Sequence, residues 1–96
     1  MHTLCKYADE TELVISDIII DDNGEETIRV IFERPKEYGF DTLIFELPSY
    51  KIIKKEGKYT DKEIKLFKTV VEQGAAHFYR IAREGELEST NIFNTF

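Results

Sequence analysis

The chain has 96 residues, with 13 basic and 19 acidic side chains and a formal charge of −6. At 42% hydrophobic residues, five Gly and two Pro, it is neither a disordered chain nor a linker, and its length fits one domain around one core. A chain this small buries about 60–65% of its unfolded surface, which weighs against a lobe enclosing a large cofactor and favours pairing with a second copy.

One cysteine, Cys5, excludes an intrachain disulfide and points to a reducing, cytoplasmic setting. No unbroken apolar run exceeds three residues, far short of the ~18 a membrane helix needs. Asp9, Glu10 and Glu12 follow the start closely, so no secretory leader is expected and the protein should be soluble.

In chain order, residues 1–10 read as a loosely ordered lead-in with a short strand at 4–7. Residues 11–21 are rich in β-branched side chains and are followed by Asn23-Gly24, a pair that favours a type I′ hairpin turn. Residues 27–34 alternate, with Ile28, Val30 and Phe32 on one face and Thr27, Arg29 and Glu33 on the other. The hairpin 12–34 is thus expected, but Leu13 and Ile15 are out of phase with Ile18 and Ile20. A bulge at Ser16-Asp17 would return all four to one face; otherwise the strand is buried on both sides.

Pro35 is expected to stop the second strand, with a turn over 36–39. Residues 42–47 alternate again with Leu43, Phe45 and Leu47 inward, and Pro48 marks a bend or a wider loop before a strand at 50–55. Thr60 and Glu63 have the spacing of a capping box, and a helix over 61–84 should end at Gly85 in the left-handed conformation. Ile64, Phe67, Val70, Val71, Ala75, Phe78, Ile81 and Ala82 then share an arc of roughly 140°. Gly74 falls in that arc, which suggests close approach to the sheet. Residues 86–96 form a loosely ordered polar tail carrying Ile92, Phe93 and Phe96. The fold expected is α+β: a mostly antiparallel sheet of three to five strands from residues 4–56, with one long helix across one face.

Signs of chemistry are few. His77 and Tyr79 stand about 200° apart around the helix and cannot act together. His2 is the only other histidine and Cys5 has no second cysteine, so neither a zinc site nor a catalytic pair is expected. The acidic run 21–26 lacks an oxygen ligand five residues before Gly24, where Ile19 stands, and reads as a solvated turn rather than a calcium loop. The five glycines are isolated, so no phosphate loop is present.

Charge is unevenly placed. Residues 1–50 hold 4 basic against 12 acidic side chains, whereas 51–68 hold seven lysines against three acids. Those lysines, Lys51, Lys54, Lys55, Lys58, Lys62, Lys65 and Lys68, read as a protected edge strand running into a solvated helix face, or as a strip for an acidic partner. Ile31 and Ile44 project away from the helix, and Ile92, Phe93 and Phe96 have no place in the core. Together they predict a homodimer. The expectation is therefore a non-catalytic cytoplasmic interaction or regulatory module, of the immunity, antitoxin or inhibitor kind, that self-associates without a cofactor. The alternatives are a binder of nucleic acid or an acidic partner through the lysines, and a small enzyme or ligand binder with a helix–sheet pocket near His77.

Overall fold

The computed structural model describes residues 1–95, with side chains described for residues 1–84. Six strands, β1 (His2–Lys6), β2 (Glu12–Ile15), β3 (Ile19–Ile20), β4 (Glu26–Lys36), β5 (Gly39–Leu47) and β6 (Lys51–Glu56), precede one helix, α1 (Asp61–Thr95). The sheet runs β1-β2-β4-β5-β6 with every neighbouring pair antiparallel, and β3 continues the β2 side of β4. The helix packs across one face, which makes the fold α+β. The lead-in is a paired strand: β1 joins β2 through His2–Ile15 and Lys6–Glu12 and starts two residues before the expected 4–7.

The Ser16-Asp17 bulge exists. Ile15 lies opposite Val30 and Ile19 opposite Thr27, so three residues of one strand face two of the other. Ser16 holds the irregularity: its N–H donates to the Arg29 carbonyl at 3.0 Å, and its Oγ accepts the Arg29 N–H at 2.8 Å. A hydroxyl thus replaces a ladder carbonyl, and Ile18 turns back toward the core holding Leu13 and Ile15. Ile20 regains the phase but is 60% exposed, because it pairs with Glu26 at the open end of the ladder.

Two turns differ from the expected types. Asn23 does not adopt a positive φ, whereas Gly24 has φ 79°. Asp21 pairs with Glu25 and its carbonyl accepts the Gly24 N–H, a three-residue loop in which only the last position needs glycine. Pro35 does not stop β4, which continues to Lys36. Beyond Glu33 the strand has no β2 partner, so the missing N–H of Pro35 lies on a free edge and costs no ladder bond. Pro48 does open a wider loop, of three residues between β5 and β6.

The helix starts as expected: the Thr60 N–H donates to Glu63 Oε1 at 2.9 Å and the Glu63 N–H to Thr60 Oγ1 at 3.1 Å. Phe67, Val71, Phe78, Ile81 and Ala82 are buried, with Ile64, Val70 and Ala75 partly so. Against the sheet they meet Ile28, Val30, Phe32, Leu43, Phe45 and Leu47, all at 1% exposure or less. The Phe67 ring stacks on Phe32 with centroids 4.3 Å apart. Gly74 is required by Phe78 one turn on, not by the sheet: a Cβ there would stand 2.5 Å from the Phe78 ring. Gly85 does not end the helix, whose backbone continues to Thr95. Glycine in a helix interior costs only about 1 kcal/mol, and good helix formers such as Leu87 and Glu88 follow it. Ile92, Phe93 and Phe96, expected at a dimer contact, lie outside the residues whose side chains are described.

Phe67→Ala should lower unfolding free energy by about 3–5 kcal/mol, the range for an aromatic removed from a core, as read by urea denaturation. A loss below about 1 kcal/mol would show that another face of α1 is buried.

Candidate functional site

Because strands alternate, the side chains that point away from α1 share one opposite face, and register arranges them in three rows across the strands. The middle row runs Thr3, Val14, Ile31, Ile44, Lys54. To one side lie Lys6, Glu12, Glu33, Thr42 and Glu56, and to the other Arg29, Glu46 and Lys51. A groove of about 530 Å³ lies over Ile31 and Ile44, bounded by Arg29, Glu33 and Lys54 and reaching Asp17 and Met1. Ile31 and Ile44 are therefore brought together, directly opposite across β4 and β5. Ile31 is not the wet residue expected, being 6% exposed, because on the central strand it is enclosed between Val14 and Ile44. Ile44 is half-buried.

The charges beside this row are unusually free. Arg29 is exposed, and its guanidinium has no ion pair or hydrogen bond among the described residues; Lys51 Nζ likewise has none. The half-buried carboxylates of Glu12 and Glu33 stand directly across from each other and also lack such partners. Like charges opposite one another destabilise a sheet; Lys6, directly across β1 from Glu12, offsets part of this repulsion, whereas Glu33 has only Thr42 on its other side. Sequence alternation puts Arg29 and Glu33 on this face and assigns them no role. The cross-strand register that couples them to Glu12, Lys51 and Glu56 is what it lacked.

The seven lysines do not form one strip. Lys51 and Lys54 share the uncovered face with Glu46 and Ile44, whereas Lys55 pairs with Leu43 on the helix side. Lys58 lies in the loop, where its N–H donates to Asp41 Oδ1 at 2.9 Å. Lys62, Lys65 and Lys68 are exposed on α1, away from the buried Phe67 and Val71. The edge strand β6 thus divides them between opposite sides of the molecule.

No catalytic arrangement forms around the other candidates. His77 is exposed and its Nδ1 bonds Arg80 at 3.1 Å, while His2 donates to Asp17 at 2.7 Å at the other end of the chain. Cys5 is exposed on β1. Asp21 Oδ1 accepts the N–H groups of Asn23 and Glu25, so the acidic run builds its own turn. Among the described residues no group of three or more metal-ligating side chains converges.

The strongest electrostatic cluster is structural. Arg34 meets Asp41 at 2.8 Å, Glu63 at 2.6 Å and Asp9 at 3.3 Å, and its guanidinium lies 4.5 Å from the centre of the buried Tyr59 ring. It thereby ties the β1–β2 loop, the β4–β5 hairpin and the first turn of α1 together. Burial pushes the Asp41 carboxyl upward, but the Lys58 N–H, Arg34 and Lys36 outweigh it and hold the group at about 2. Hydrogen bonding to Thr60 and then Arg34 lowers Glu63.

No protein-family model, no curated protein and no solved structure matches this chain. Among the described residues, no helix is long and apolar enough to cross a membrane.

Two outcomes follow from this placement. Asp41 is depressed in the folded state, so its stabilisation is complete above the ordinary carboxylate range and is lost as pH falls through the folded value. Stability should be level down to about pH 5 and fall between about pH 4 and 2, and Asp41→Asn should flatten that fall while costing about 2 kcal/mol near neutrality. An unchanged acid slope would remove Asp41 from the clasp. Duplex DNA, followed by fluorescence anisotropy, should bind more weakly than about 10 μM near physiological salt and release further as salt rises. Tight, salt-resistant binding would contradict the division of the lysines.

Proposed function

We propose that the chain is a non-catalytic interaction module that self-associates through the sheet face α1 leaves uncovered. The observation that carries this reading is the row Val14, Ile31, Ile44 lying between two rows of charged side chains, several of them without partners. An apolar centre with a charged rim is the usual anatomy of a protein interface, and closed two-fold dimers are the commonest soluble assembly. The wet isoleucines expected from the sequence do not supply the support, since Ile31 is enclosed and the bulge turns Ile18 inward. The small size and acidic balance suit a regulatory or inhibitory role, and the free, exposed Cys5 suits a reducing cytoplasm.

Sedimentation equilibrium over about 1–100 μM should give a dimer. Ile44→Glu, at a half-buried position, should shift the protein to monomer while leaving its circular dichroism unchanged. A wild-type chain that stays monomeric across that range would contradict self-association.

A further inference from the structure

The uncovered face carries more than a preference for pairing, because its charge pattern selects one symmetry. Its three rows lie two residues apart along β4 and β5, about 6.8 Å, and the irregularity in β6 sets Lys51 three residues from Lys54. One flanking row is acidic at Glu12, Glu33 and Glu56, with Lys6 beside Glu12 at its outer end; the other carries the cations Arg29 and Lys51 beside Glu46. Resting on the reading that this face is where copies meet, the geometry points to a homodimer whose two-fold axis lies along the Val14–Ile31–Ile44 row, perpendicular to the strands.

Rotation about that row leaves the row facing itself and exchanges the two flanking rows. Ile31 and Ile44 then meet their own counterparts on the axis. Arg29 comes over the partner's Glu33, and Lys51 over the partner's Glu56. Each interaction occurs twice, as an isologous contact requires. The Glu12–Glu33 pair, which has Lys6 of its own chain only on the Glu12 side, receives a cation from the other chain at Glu33. Aligned sheets pack about 10 Å apart and rotated by about 30°, which at one row's distance displaces facing positions by about 3–4 Å, within reach of Arg and Lys stems.

Two other two-fold axes in this plane fare worse. An axis parallel to the strands and running between β4 and β5 puts Glu12 over the partner's Glu56. One running along β4 sets Glu33 against itself. Like charges facing each other oppose association. Lys54 meets its own counterpart in the favoured arrangement, but it does so at the outer end of the row, where its side chain is 49% exposed and already 3.7 Å from Glu56.

The test is a mixing experiment by sedimentation velocity on the full chain. Arg29→Glu and Glu33→Arg should each weaken self-association by about tenfold or more, because each sets like charges face to face at two symmetric places. Mixed in equal amounts, the two variants should form a heterodimer, since both facing pairs become opposite in sign. Arg29 and Glu33 are four residues apart on β4 and too distant within one strand to compensate each other, so recovery on mixing reports contact between chains. If Glu33→Arg disturbs folding, as read by circular dichroism, the exposed pair Lys51→Glu and Glu56→Lys replaces it with the same expectation. A wild-type dimer whose single variants associate as well as it does, or whose mixture shows no recovery, overturns this axis while leaving self-association intact. A monomeric wild type overturns both.

Discussion

A sheet has two faces and this chain has one helix to cover them. That constraint organises the molecule, and the Ser16 bulge is where it is met. Without the extra residue, Leu13 and Ile15 would share the helix side while Ile18 and Ile20 pointed away. With it, the core gains Ile18 and the opposite face is left mainly with polar side chains around a short apolar row. The device rests on one hydroxyl, since Ser16 Oγ accepts the Arg29 N–H in place of a ladder carbonyl. The same contact fixes the backbone of Arg29, whose side chain stands unpartnered on the far face. The irregularity that completes the core therefore also positions a charge that a partner can use.

The second organising element decides where the helix begins. Glu63 serves twice, accepting the Thr60 N–H in the capping box and an ion pair from Arg34 at 2.6 Å. Arg34 also holds Asp41, which is only 6% exposed and accepts the Lys58 N–H just before the helix. The first turn of α1 is thereby fastened to the β4–β5 hairpin, and Phe67 is delivered onto Phe32. Removing Asp41 costs less than stranding a lone buried charge would, because Arg34 keeps Glu63 and Asp9. These carboxylates are accordingly committed to the fold.

What could be read from the sequence was what depends on period and local chemistry. The alternation of Ile28, Val30 and Phe32, the apolar arc through Phe67, Val71 and Phe78, and the Thr60–Glu63 cap all describe the structure as found. What could not be read depends on neighbours distant in the chain. Pro35 looked like a stop because local rules do not reveal that the pairing of β4 with β2 ends at Glu33 and leaves that edge free. Gly85 looked like a cap because its residue type fits one, yet the helix backbone passes through it. The lysines between Lys51 and Lys68 looked continuous because they are close in sequence, whereas β6 sends Lys54 and Lys55 to opposite faces. The candidate interface was half legible: Arg29, Ile31, Glu33 and Ile44 were assigned to the uncovered face, but the cross-strand register that makes their charges complementary was not accessible.

The central claim is that Ile44, and the edges of Val14 and Ile31 that a single chain leaves uncovered, are buried between two copies. Isotope-filtered nuclear Overhauser spectroscopy on an equal mixture of 13C-labelled and unlabelled chains reads this contact without altering a residue. The account predicts intermolecular cross-peaks from the Ile31 and Ile44 methyl groups to the same residues of the other chain. A dimer whose intermolecular cross-peaks arise only from β6 or α1, with none from Ile44, would contradict it.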